Sequence, residues 1–260
     1  MTEELRQDLV QIKETISEKQ LLEIAENAFK QALKATLETK VKNIFETVKF
    51  LFNTTIRLVR YTATTIKEHG LSAPSKWLKD AKEMVKLKFK QIQELWSSMT
   101  PQQRVDSLID ATIVLATMLL VGGGLDFEGG LPDADLAKGV KMHRNIFTHT
   151  ILIGLVFEFL LRFSVAASIE ARKRGFTPKS KFLNAVLKFA EKHHLAIISG
   201  MWLGLFVHFL KDANYLAPRT KPYVGIKNVS MRTHQNLLAS NALLSLIFSK
   251  QDMKTQREAR

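Results

Sequence analysis

Between Gly129 and Thr150 the chain reads GGLPDADLAKGVKMHRNIFTHT, so Asp133, Asp135, His143 and His149 stand in one glycine-edged segment directly before the longest apolar run. Further along, His208 and Asp212 are four residues apart, a spacing that puts both side chains on one helical face and lets them converge on one cation. Carboxylates and imidazoles at this density are costly to bury without partners. There is no cysteine, so any metal must be held by His, Asp or Glu, and disulfides are excluded. Mixed imidazole and carboxylate donors suit Zn, Mn or Fe, and the number of acidic groups leaves room for one or two divalent ions. Such a centre lowers the pKa of bound water towards neutrality and clamps a phosphoryl oxygen, so hydrolysis of a phosphoester is the natural chemistry.

Each residue also has a plainer reading. Asp133 and Asp135 fit a solvated turn, since Pro-Asp sequences favour turns. His149 fits a satisfied core histidine, and His208 with Asp212 a helix-end hydrogen bond. Asp126 is a further candidate ligand, or simply the polar residue needed after Gly122–Gly124. Arg144 suits either a phosphate clamp or a structural partner for Asp133 or Asp135. The Gly122–Gly124 run lacks the Lys-Ser/Thr element of a phosphate-binding loop, and it reads as a close helix approach or a bend.

The elements that must position these residues are helical, and the expected fold is all-α. Residues 1–99 read as an amphipathic helical region, with Leu5, Leu9, Ile12 and Ile16, then Leu22, Ala25, Phe29, Leu33 and Leu37, at helical spacing. His69-Gly70 followed by Pro74 marks a stop and restart. Thr100, Pro101 and Gln103 form a helix-start signature that opens the second region, residues 100–250. That region carries four apolar segments, 111–125, 146–168, 195–210 and 237–248, expected to form a four-helix bundle. Residues 251–260 are a basic tail. Only the second segment approaches the ~20 residues needed to span a bilayer, and it contains Glu158 and Arg162, expected to pair at i and i+4. A soluble and a membrane bundle are both open on length alone; the mean hydropathy is −0.03.

If the four segments alternate up and down, the polar residues separate. Asp126, Asp133, Asp135, His143, His149, His208, Asp212 and His234 fall at one end, and the connection around Arg172, Lys173, Arg174, Lys179 and Lys181 falls at the other. His193-His194 lies at the second end and reads as surface. By the positive-inside rule, that basic end and the tail (Lys254, Arg257, Arg260) would face the cytoplasm and the ligand end would face away, although Arg219, Lys221 and Lys227 in the upper connection run against this.

With LPDAD, then HRNIFTHT, then an apolar helix with His208 and Asp212, the chain resembles the membrane-associated metal-dependent hydrolases of the LexA-regulated inner-membrane (YdjM-like) type. The resemblance covers roughly residues 106–249. Its histidines His143 and His149 are six apart, and Thr150 stands where serine is usual. It implies a metal site built from the ligands named above and a place in the bacterial inner membrane.

The formal charge of +13 is spread along the whole chain, which suits an anionic substrate or the surface of a membrane lipid layer. Few aromatics interleave with the lysines, so a nucleic acid is the weaker partner. The polar, acidic N-terminus has no apolar core, so no cleavable signal peptide is expected. A second class of function stands beside the hydrolase: a membrane-bound helical interaction protein, forming homo-oligomers or binding a partner through its N-terminal helices, with the metal structural or absent.

Overall fold

The computed structural model describes residues 3, 6–8, 10–11, 16–126, 129–139, 144–215, 222–226 and 228–252. The expected ligand His143, the early apolar positions Leu5, Leu9 and Ile12, the loop residues Arg219, Lys221 and Lys227, and the tail residues Lys254, Arg257 and Arg260 lie outside the described residues. The described residues are helical, with no strand among them. From Glu18 onward they form α1 (Glu18–His69), α2 (Ala73–Ser98), α3 (Pro101–Gly122), α4 (Ile151–Lys173), α5 (Lys181–Ala213) and α6 (Met231–Phe248). Short 3₁₀ turns lie at Gly70–Ser72 and Pro132–Lys138.

The punctuation follows the residue chemistry. α1 stops at His69 because Gly70 takes a left-handed φ of 52°, and Pro74 sits in the first turn of α2. The start of α3 is a reciprocal capping box: Gln103 N–H donates to Thr100 Oγ1 at 3.2 Å, and Thr100 N–H donates to Gln103 Oε1 at 2.9 Å. Ser180 caps α5 and Ser230 caps α6 through side-chain oxygens. These caps lengthen the apolar segments beyond their apolar cores. α3, α4 and α5 have 22, 23 and 33 residues, and each is long and apolar enough to cross a membrane. The basic connection expected around Arg172 to Lys181 narrows to the few residues between Lys173 and Lys181, because α5 begins well before its apolar run.

Compact packing divides the chain into Met1–Asn43 with Ala111–Arg260, and Ile44–Asp110. The boundary falls inside α1 and inside α3, not at the helix junction near residue 99. In the first unit α5 is central. Trp202, Leu205, Phe209 and Ile198 form its core with Ile153 of α4 and Ala242 and Phe248 of α6. The apolar stretch of α3 is 11% buried against 61% for α5, so α3 turns most of its apolar surface outward. α3 and α5 meet through Gly200 and Gly204: a Cβ at either would lie 2.4 Å from the Val114 oxygen or 2.6 Å from the Met118 oxygen. Small residues four apart allow this backbone-to-backbone approach.

The first half of α1 packs by a different stripe from the one its apolar periodicity marks. Leu22, Phe29, Leu33 and Leu37 remain well exposed, while Ile24, Ala28, Ala32, Thr36, Lys40 and Asn43 are buried. The small side chains admit a close neighbour, and the large apolar ones are left outside. At the end of this stripe Lys40 Nζ lies 2.6 Å from Glu158 Oε2, a carboxylate with no exposed surface. Trp202 Nε1 also donates to Glu158, Arg162 does so at 3.0 Å as its spacing predicts, and Arg162 NH2 reaches Gln251 Oε1 at 2.8 Å. Lys40 and Asn43 cap α6 as well, donating to the Phe248, Ile247 and Lys250 carbonyls at 3.1, 3.2 and 2.9 Å.

Removing one member of a buried charge cluster leaves the others uncompensated, at about 3–5 kcal/mol. Lys40→Met is expected to lower stability by about that amount in thermal unfolding, and Lys40→Met with Glu158→Gln to recover most of it. Equal losses in the single and double variants would show that the pairing contributes nothing.

Candidate metal centre

The centre starts where α3 ends. Gly123 and Gly124 take φ of 101° and 86°, conformations that side chains resist, and the chain turns back on the helix it has just left. Leu131 N–H then donates to the Val121 carbonyl at 3.0 Å. Gly130, with φ of 76°, lies so close that a Cβ would be 2.3 Å from that same oxygen. The 3₁₀ turn that follows carries Asp133 and Asp135. With three residues per turn, positions two apart point in different directions, and the two carboxylates take different tasks.

Asp133 faces the centre. Its Oδ1 lies 3.3 Å from His149 Nε2 and 3.6 Å from His208 Nε2, while its Oδ2 accepts from Gly129 N–H at 2.8 Å. Asp135 stands behind His149. Its Oδ2 lies 3.4 Å from His149 Nδ1 and accepts from Thr148 Oγ1 at 2.7 Å and from the Asn145 backbone and side chain. The sequence placed Asp135 among the ligands; in the fold it orients the imidazole of one, the arrangement by which an outer carboxylate sets a ligand histidine's tautomer.

His149 belongs to the turn before α4, one residue ahead of the N-cap Thr150, and not to the helix as the apolar run suggests. Thr150 Oγ1 accepts from Leu152 N–H at 3.3 Å, a capping task that serine would perform equally. Asn145 shapes the turn, with its side-chain oxygen accepting from Thr148 N–H at 3.0 Å.

His208 and Asp212 come from the last turns of α5. His208 Nδ1 lies 3.1 Å from the Gly122 carbonyl. Both imidazoles thus have Nδ1 engaged and Nε2 turned to the same point. Asp212 Oδ2 is 3.6 Å from each Nε2, and its Oδ1 accepts from Arg144 NH2 at 2.8 Å. Arg144 therefore takes Asp212 as a partner and reaches it from a left-handed φ of 65°.

Donor atoms on a tetrahedral ion with bonds of ~2.0–2.1 Å are ~3.3 Å apart. The separations of 3.3 to 3.6 Å are close to that edge length. His208 Nε2 and Asp212 Oδ2 are buried and make no hydrogen bond among the described residues. Two imidazoles and two carboxylates with that spacing fit one divalent cation. Asp133, His149 and His208 alone satisfy the geometry of a three-ligand group. Burial works to raise the Asp133 pKa, but the two imidazoles and the Gly129 N–H outweigh it and hold the carboxyl far below the ordinary range. The group is thus an anion ready to ligate.

Asp126 is exposed beyond the end of α3 and does not join the converging atoms; its carbonyl accepts from Lys211 Nζ at 2.6 Å. His234 is buried at the expected end, but its Nδ1 accepts from Tyr223 N–H at 3.2 Å and it serves the loop. His193, read as surface, is buried within α5 against Phe189, with ring centres 5.0 Å apart. Tyr223 is the residue that spacing missed. Its hydroxyl donates to the His149 carbonyl at 2.6 Å, and Val224 N–H donates to the Arg144 carbonyl at 3.1 Å. Burial, reinforced by the Asp212 charge, raises the Tyr223 pKa and keeps the phenol a donor. The available signal was the Tyr223-Val224 pair within a connection rich in lysine and arginine.

His149→Ala with His208→Ala is expected to abolish stoichiometric metal by elemental analysis. Asp135→Ala should weaken metal affinity about 10–100-fold, as loss of an orienting carboxylate does, and Asp126→Ala should leave it within error. Equal effects of the Asp135 and Asp126 changes would overturn the assignment of Asp135.

Comparison with known proteins returned no matching family model, no matching curated protein and no matching solved structure. The geometry of Asp133, His149, His208 and Asp212 is therefore what the functional reading rests on.

Proposed function

We propose that the chain is a membrane-associated, metal-dependent hydrolase acting on a phosphoester, with a phospholipid head group as the first candidate substrate. The observation that carries this is the convergence of His149, His208, Asp133 and Asp212 on one point at the shared end of α3, α4 and α5, helices long enough to cross a membrane. A divalent Zn, Mn or Fe ion held there would supply a Lewis acid for a phosphoryl oxygen and a water acidic near neutrality. The chain's own residues then have distinct tasks. Asp135, the Gly122 carbonyl and Tyr223 hold the imidazoles in place, and Arg144 holds Asp212 while adding positive charge beside the site. The resemblance of LPDAD, HRNIFTHT and the His208–Asp212 pair to the YdjM-like hydrolases supports the same reading and implies a place in the bacterial inner membrane.

A second reading draws on Ile44–Asp110. Phe45, Val48, Leu78, Val85, Phe89 and Ile92 there are each at least 60% exposed, a surface suited to another copy or a helical partner. In that reading the metal is structural.

Detergent-purified protein should contain one Zn, Mn or Fe per chain and hydrolyse a water-soluble aryl phosphoester or a phospholipid in mixed micelles. The imidazoles ligate only when neutral, so acidification should release the metal while Asp133 is still ionised. Hydrolysis that survives complete metal removal would refute the metal-dependent mechanism. Disassembly on metal removal, with no phosphoester turned over by the metal-loaded protein, would favour the structural one.

A further inference from the structure

We propose that the apolar groove between α3, α4 and α5 holds an acyl chain of a membrane phospholipid whose phosphate lies at the metal centre; this rests on the phosphoesterase reading above. The groove has a volume of about 570 Å³, within the ~300–1,000 Å³ of ligand sites, whereas voids in close-packed interiors rarely exceed a water.

Its upper end and the metal centre share a wall. Val121 and Leu131 line the groove and are bonded to each other through the Val121 carbonyl. Next to Val121, the Gly122 carbonyl engages His208, and two residues after Leu131 stands Asp133. From there the groove descends along the helices. Phe157 and Ser164 lie roughly 12 and 22 Å along the chain from His149 at 1.5 Å per residue, and Met201 lies roughly 10 Å below His208. A ligand seated in it would have one end beside the Val121–Leu131 wall that borders the converged donors and the other deep among helices that can cross a membrane.

The lining carries no charged side chain. The Ser164 hydroxyl donates to the Leu160 carbonyl of its own helix at 2.8 Å, so it presents little unmet polarity. Leu120 and Leu160, at the rim, are 78% and 48% exposed, which leaves the groove open sideways, where a lipid would enter from the bilayer. An apolar slot with a cation site at its head matches a molecule with an anionic head and a hydrocarbon tail. A free sugar phosphate or nucleotide would leave the slot empty.

The test uses the full-length, metal-loaded protein in mixed micelles containing phosphatidic acid with a photoactivatable group midway along one acyl chain. Mass spectrometry should find the label concentrated on peptides covering Phe157–Ser164 and Ile197–Met201. Ser164→Trp and Leu160→Trp, both at exposed positions, should reduce that labelling at least fivefold while thermal unfolding shows both folded. In the same variants, KM for dioleoyl phosphatidic acid should rise about tenfold relative to KM for the dihexanoyl form, the effect of losing burial of about two methylenes. Label spread evenly over all outward-facing helix surfaces, or unchanged by both tryptophans, would overturn the groove assignment. Cross-linking of groove residues to a second copy of the chain would also overturn it and make the groove an interface. Groove labelling blocked by the tryptophans in a protein that hydrolyses no phosphoester would support the lipid seat and remove the phosphoesterase reading.

Discussion

Four donor atoms can share a space little more than 3 Å across only if each of their side chains is held from its other end. The second oxygens of Asp133 and Asp212 are held by Gly129 N–H and Arg144, and the Nδ1 atoms of His149 and His208 face Asp135 and the Gly122 carbonyl. Without these supports, two like-charged carboxylates would not stay beside one another in a buried site. Much of the surrounding structure serves this requirement. The glycine turn after α3, the 3₁₀ turn, the Asn145 turn and the Tyr223 loop each deliver one of the supports.

A second buried charge cluster does a different job. Glu158 is fully enclosed and receives Lys40, Arg162 and Trp202 from three separate helices. Such a cluster is weak evidence for net stability, because desolvation offsets much of the attraction. It bears on arrangement: Lys40 both neutralises Glu158 and donates to the Phe248 carbonyl at the end of α6, so α1 is tied to α4 and α6 at one residue. The cluster and the metal centre both draw on α5, and His149 stands just ahead of α4, so the seating of α1 and the geometry of the site are linked through α5.

Close packing by small residues explains why the large apolar residues are so exposed. α1 buries Ala28 and Ala32, and α5 meets α3 through Gly200 and Gly204. The glycines bring two backbones together, and in α1 and α3 large apolar residues, Phe29, Leu33, Leu37, Leu115 and Leu120, are left facing outward. For α3 that division suits a helix surrounded by hydrocarbon, where apolar side chains gain nothing by turning inward and backbone contact provides the attraction.

The amino-acid sequence alone determined the helical class, the break at His69-Gly70, the capping box at Thr100 and Gln103, the Glu158–Arg162 pair and the pairing of His208 with Asp212 on one face. All of these depend on neighbours within a few residues, where spacing and side-chain chemistry suffice. It also marked Asp133 and His149, because Asp-rich loops and histidines beside apolar runs stand out by composition. Which carboxylate faces the imidazoles and which stands behind them, whether Asp126 joins, who pairs with Arg144, and that Lys40 and Tyr223 matter at all were decided by tertiary structure. Those contacts join residues from tens to well over a hundred positions apart, and their direction follows from the turn geometry of Gly123, Gly130 and Arg144 and from which helix faces meet. For α1 the periodicity pointed to the wrong stripe, because a hydrophobic pattern records which side chains avoid water but not how closely a neighbouring backbone must approach.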